Sequence, residues 1–230
     1  MALYSDAGIF SDYFGVSDQG NWGDTNILKK SMTIPQLALK YNQPESKIKE
    51  VIKKGRILLL NKRKKRTPPA MDRKAIVSWN AMAIKAFIHG YRATGKRDYL
   101  RIALSSAENV ISRQLESDYR LTRVYAGGQS STEGFLDDYA FLGDALLELY
   151  QITFDDKWVD WAAKITGYAM KQFADHQSHL LNYARRRDER LTTNTKELID
   201  AVLPSSNSQF AKNLFILGQY FASESYLERA

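Results

Sequence analysis

The sequence predicts an all-α protein, an α/α toroid of helical hairpins that is incomplete and carries short β-hairpin linkers at one face. Three observations lead there. Similar blocks recur about 60–70 residues apart. The first helix of each block is apolar nearly all round, and long polar linkers alternate with short turns.

Residues 1–32 come first and include "FGVSDQGNWGDTNIL", rich in Gly, Asp and Asn. They are predicted to be loop-rich, with one short helix at 6–14. The toroid is expected to fill 33–230, with hairpins near 76–116, 134–175 and 205–230. A helix over 33–41 follows from Thr33 as its cap and Pro35 in its first turn. "ESKIKEVIKKGRILLLNKRKK" then places Ile48, Val51, Ile52, Leu58 and Leu59 at helical spacing. "TPPAM" ends that helix.

Beyond Pro69 the repeat becomes legible. "WNAMAIKAFIHGYRATGKRDYLRIA", "DYAFLGDALLELYQITFDDKWVDWA" and "SQFAKNLFILGQYFASESYLERA" can be laid on one another. Tyr91 and Tyr150 precede Thr94 and Thr153 by three residues, and Tyr99 and Trp158 follow five later. In the third block Tyr220 is the equivalent tyrosine, and the turn is two residues shorter. The first helices are predicted to be buried on both sides and the second ones, near 105–115 and 158–173, to be amphipathic and outside. "YRLTRVYAGGQSSTEG" and "SHLLNYARRRDERLTTNTKELIDAVLPSS" are β-prone linkers. Short turns therefore lie at one end of the toroid. Long linkers and the amino ends of the inner helices share the other, where ligand-binding residues are expected.

Twelve residues before each register tyrosine stand Trp79, Asp138 and Ser208. Twelve helical residues rise about 18 Å, so all three are placed at one level of this mouth. Around them fall Asp72, Lys74, Ser78, Asn80, Asp137, Asn207, and the linker residues Arg123, Tyr125 and Glu133. Trp79 offers either a sugar-stacking platform or a core residue. Asp138, Asp137 and Asp72 are the candidate acid/base groups, since paired acids serve glycoside hydrolysis and proton abstraction. Ser, Asn and Asp at helix starts are also preferred caps, worth about 1 kcal/mol each. Asp137 and Asp138 cannot both be the cap, which leaves one for a partner or a ligand. His89, mid-helix, is expected on a buried face. Arg185, Arg186 and Arg187 are either solvated or send one arginine to the mouth.

Composition bounds the alternatives. The 44% apolar and 26% charged residues are those of an ordinary globular chain. No run approaches the roughly 18 apolar residues of a membrane span. The start has neither a basic leader nor an apolar core, so no signal peptide is expected. There is no cysteine, which removes disulfides, thiolate metal sites and iron–sulfur clusters and suits the cytoplasm. The three histidines show no HExxH spacing, so neither a metal nor another cofactor is expected. "KRKKR" at 62–66 supplies five of the net seven positive charges. A lone basic run of this kind is usually a solvated helix end, so nucleic acid is not the expected partner.

Four stretches, "DYFGVSDQGNWGDTNIL", "DRKAIVSWNAM", "GFLDDYAFLGDALLELY" and "KELIDAVLPSSNS", occur in order over most of the chain. They resemble the helical domain of the thioredoxin-domain-containing proteins related to spermatogenesis-associated protein 20. That domain in turn resembles six-hairpin glycosidases and N-acylglucosamine 2-epimerases. The resemblance implies a carbohydrate-processing or carbohydrate-binding toroid. Any turnover would be glycoside-hydrolase-like or sugar-isomerase-like, with a saccharide-like small molecule as partner. It also leaves room for a non-catalytic interaction module. The departures are Arg73, where the family has the second acid before its lysine, and Ser206, where it has glycine in "PSGNS". The epimerase resemblance implies histidine acid/base groups, and no histidine falls at the mouth. The thioredoxin-like domain is not legible in these 230 residues, and about seven or eight of twelve toroid helices are, so a fragment or a naturally shortened relative is the expectation. Uncovered inner helices make self-association the expectation.

Overall fold

The structure, a computed structural model, describes residues 2–175, 178–185 and 195–230. The chain forms two compact units, Met1–Met71 and Asp72–Ala230.

The first unit holds α1 (Ala2–Phe14), α2 (Ile34–Tyr41) and α3 (Glu45–Arg63). The helix expected at 6–14 is thus longer than its sequence signal. Thr33 caps α2: its hydroxyl accepts from the Gln36 N–H, and the Gln36 side chain accepts from the Thr33 N–H at 2.9 Å. Ile9, Leu37, Ile48, Val51 and Ile52 form the core. Phe10 packs where Gly55 has no side chain; a Cβ there would lie 2.3 Å from the ring. The buried stripe of α3 ends at Ile52. Leu58 and Leu59, placed with it by spacing, are exposed together with Ile57 and Leu60. Four consecutive apolar residues point all round a helix, and α1 and α2 cover only its first half.

The second unit runs β1 (Ala75–Ile76), α4 (Val77–Thr94), α5 (Arg97–Gln114), β2 (Thr122–Ala126), β3 (Gln129–Glu133), α6 (Leu136–Thr153), α7 (Asp156–Gln172), α8 (Ser206–Phe221) and α9 (Glu224–Leu227). The linker predicted as a β-hairpin forms one, β2–β3, and β1 adds a third antiparallel strand, with Ile76 opposite Val124. Of the second β-prone linker, Leu181 makes an isolated bridge with Ala174, which precedes the linker; Arg186 and Arg187 lie outside the described residues.

The helices pair as hairpins α4–α5, α6–α7 and α8–α9, and α6 packs between α4 and α8. Equivalent backbone turns close the inner helices: Gly95 (φ 67°) and Phe154 (φ 54°) donate to the carbonyls of Tyr91 and Tyr150, and Ala222 (φ 48°) donates to that of Gly218. From Asp138 to Leu147 the middle helix is buried without a break. Its neighbours are not buried on both sides as expected. Trp79, Ala83, Ala86 and His89 form an exposed stripe on α4, and Ser208, Lys212, Phe215 and Gln219 form one on α8. Both are end members of a row of three, covered from one flank only.

Close approach and buried charge hold the row together. A Cβ on Gly143 would meet Asn213 Nδ2 at 2.8 Å, and that nitrogen donates to the Ala140 carbonyl at 2.7 Å. Asp144 is buried, accepting from Lys85 at 2.5 Å and from Lys212 at 2.6 Å, one lysine from each flanking helix. One turn on, Glu148 pairs with Arg92 and faces His89 Nε2 at 3.7 Å. His89 is therefore not on a buried face. Its side chain is 55% exposed.

Candidate functional site

The amino ends of α4, α6 and α8 repeat in register. Trp79, Asp138 and Ser208 are each the third residue of their helix. The same position carries a different side chain each time, and its surroundings differ accordingly.

Asp138 is fully buried. One oxygen accepts from the Ser78 N–H at 3.0 Å; the other accepts from the Phe135 N–H at 3.0 Å and from Arg123 Nη1 at 2.7 Å. Helix starts leave backbone N–H groups without partners. Here a single carboxylate satisfies one in the first turn of α4 and one at the cap of α6. Phe135 has no side-chain acceptor, so the third residue does what a cap would do. Asp137 has a different environment. It accepts from the same Arg123 Nη1 at 2.8 Å, and its side chain keeps 15% exposure.

Arg123 reaches the pair from β2 and lies over the Phe135 ring, 5.2 Å from its centre. Burial opposes its charge, but the two aspartates outweigh that and hold the guanidinium above its ordinary range. Burial pushes the Asp138 carboxyl up to about 6, and the negative charge of Asp137 adds to the rise. Arg123 and the two backbone donors pull the other way. The pair thus combines an acid poised to hold a proton with a partly open neighbour.

Phe135 stacks on Tyr183 at 5.1 Å, and the Leu136 N–H donates to the Tyr183 carbonyl at 2.9 Å. Tyr183 opens onto a pocket of about 330 Å³ shared with Thr195, Lys196 and Glu197. The other predicted residues have the following places. Trp79 is 63% exposed, which rules out the core reading. Asn80 donates back to the Ile76 carbonyl at 2.8 Å. Asp72 and Lys74 are exposed and pair with each other at 3.1 Å. Tyr125 accepts from Arg113 at 2.7 Å. Glu133 accepts from Arg185 at 2.9 Å, so the one described arginine of the triplet meets a carboxylate of this chain. Asn207 is buried and bonds both backbone groups of Leu181. The Ser208 N–H donates to Ser205, the cap of α8.

The structure therefore joins Asp137, Asp138 and Arg123, whereas Asp72, Lys74, Tyr125 and Glu133 are committed to other partners. Sequence reasoning missed Phe135 and Tyr183, for which the sequence carries no periodic signal. It also missed Glu197 and Asp200, which accept from the N–H groups of Ser206 and Ser205. The signal for those two was present: acids shortly before a "SSNS" helix start.

No family model matches the chain. An uncharacterised protein of Caenorhabditis elegans is 29% identical over 240 residues, covering 96% of this chain and 32% of that protein. Spermatogenesis-associated protein 20 of Mus musculus is 25% identical over 238 residues, covering 94% of this chain and 30% of that protein. The chain is a homologue of spermatogenesis-associated protein 20. It spans about a third of the length of the relatives it matches.

The fold is similar to solved α/α toroids. A glycoside hydrolase family 76 mannosidase of Bacteroides thetaiotaomicron matches with a TM-score of 0.58 at 16% identity, over 71% of this chain and 44% of that one. Cellobiose 2-epimerase of Bacillus thermoamylovorans matches with 0.56 at 17%, over 69% and 42%. An α-1,6-mannanase of Salegentibacter in complex with α-1,6-mannotriose matches with 0.53 at 15%, over 83% and 52%. The expected toroid fold and the family resemblance both hold. Among the described residues no helix is long and apolar enough to cross a membrane.

Proposed function

We propose that the mouth formed by the amino ends of α4 and α6 binds a saccharide, with Asp137 as the acid that touches it. One observation carries this reading: Arg123 bridges two adjacent aspartates of which one is buried and one partly open. Asp138 positions the pair, and Asp137 presents a carboxylate oxygen to hydroxyl groups. Trp79, exposed one helix away on the same rung, supplies a stacking face. The pocket beside Tyr183 is of a size to take a sugar ring. The mannanase with bound mannotriose is an inactive variant in which two consecutive aspartates are asparagines. That parallel supports glycoside-hydrolase-like chemistry at Asp137 and Asp138.

Calorimetry against mannose-, glucose- and phosphate-bearing oligosaccharides tests the proposal. Binding is expected to fall about tenfold in Asp137→Asn and in Trp79→Ala, with the circular dichroism spectrum unchanged. Absence of saccharide binding by the folded chain overturns it.

A second reading, a non-catalytic interaction module, is favoured by the full commitment of Asp138 to three donors. Self-association belongs with either reading. Its motive is the exposed stripe on each end helix of the row.

A further inference from the structure

The net charge of the protein is confined to one unit. Residues 1–71 hold 13 Lys and Arg against 6 Asp and Glu, which accounts for all of the +7; residues 72–230 hold 20 of each. This basic unit carries a groove of about 700 Å³. Its floor is apolar, from Phe14, Leu28, Ile34, Ile57 and Leu60. Lys49, Lys53, Arg56 and Arg63 line it as well, and among the described residues no acid does. Lys49 pairs with Glu45 at 3.2 Å, whereas Lys53, Arg56 and Arg63 have no ion-pair partner among the described residues.

We propose that this groove docks an acidic amphipathic helix of a partner protein. The argument rests on charge complementarity and on how the charge is spaced. From Lys49 to Arg63 the lining of α3 extends about 21 Å. The cations recur along this whole length rather than clustering at one end. A single-headed amphiphile such as a fatty acid would use one of them and leave the others unpaired. A helix with apolar anchors three or four residues apart and acids flanking them meets both the floor and the rim. A second copy of this unit would bring like charge against like. Nucleic acid would leave the apolar floor unused.

The test uses the 230-residue chain and a fluorescein-labelled probe peptide of about 18 residues, long enough to span the groove. The peptide carries Leu at helical spacing and Glu on the flanking positions. Fluorescence anisotropy is expected to give saturable, salt-sensitive binding. A scrambled peptide of the same composition should bind about tenfold more weakly, as should the Lys53→Glu/Arg56→Glu chain. Both of those side chains are exposed, and circular dichroism checks that the double variant is folded. Lys64→Glu/Lys65→Glu, outside the groove lining, should retain binding within about threefold. Four results would each overturn the proposal. They are equal affinity for the scrambled peptide, equal loss in the two charge-reversed chains, binding to phosphatidylserine vesicles but not to the peptide, or no peptide binding at all.

Discussion

The Ser78 N–H and the Asp138 carboxylate meet at 3.0 Å across 60 residues of sequence, tying the first turn of α4 to that of α6. Truncating Asp138 leaves that N–H, the Phe135 N–H and the buried side of Arg123 without their acceptor. Asp138→Ala is therefore expected to lose about 3–5 kcal/mol in urea unfolding. Asp138→Asn, which keeps one acceptor, should lose less. A change under about 1 kcal/mol in the alanine variant would show that the tie contributes little.

The same carboxylate predicts a pH dependence. Its folded value of about 6 lies above the ordinary 3.8. Between those values the folded chain holds a proton that the unfolded chain has released. The contribution of Asp138 to stability is thus greatest below about 4 and is lost as pH rises through about 6. Asp137→Asn removes the neighbouring negative charge and should lower the Asp138 midpoint, read by carboxyl carbon NMR. An unmoved midpoint would mean that burial alone sets it.

Asp144 with its two lysines gives an ordering of variants. Removing the carboxylate leaves two partly exposed lysines without their shared acceptor, so Asp144→Ala should cost about 1.5–3 kcal/mol. The Lys85 side chain is less exposed than that of Lys212, 28% against 44%. Lys85→Ala should accordingly be the more damaging of the two. Thermal unfolding of the three single variants checks the order.

Gly143 and Asn213 form a coupled pair. A methyl group at Gly143 pushes on Asn213 Nδ2 and strains its bond to Ala140. Gly143→Ala is expected to cost about 1–3 kcal/mol. In the Asn213→Ala background the added cost should shrink, because the clash is gone. Strict additivity in the double-mutant cycle would mean that the two sites do not touch.

Self-association is checked by sedimentation. Concentration-dependent dimers or larger species are expected at micromolar protein. Ala83→Arg on α4 or Phe215→Asp on α8 should shift the population toward monomer. A single monomer boundary for the parent chain would end the idea.

The repeat was legible because its chemistry is local. Tyrosines, turn residues and apolar runs recur at fixed offsets, and each hairpin obeys them independently. The three register residues on one helical rung follow from that alone. The site was legible in part. That one aspartate would cap could be stated from sequence, but not which one, since the choice depends on a backbone N–H 60 residues away. The fates of Arg123, Arg185 and Glu133 depend equally on distant partners. The buried faces assigned to α4 and α8 failed for a related reason: an apolar helix in the middle of a row and one at its end have similar sequences. His89 was misplaced with them.

The shared rung has a consequence for how such a domain changes. Each of these three helices follows an extended cap residue, and at the third position they carry a tryptophan, an aspartate and a serine. Scaffold and occupant are thereby separable. Exposed Trp79 and Ser208 can be exchanged for other residues with little disturbance beneath them, while Asp138 is locked by the two helices it joins. A lineage carrying this architecture is free to rewrite what the rim recognises at two positions and is bound to keep the third.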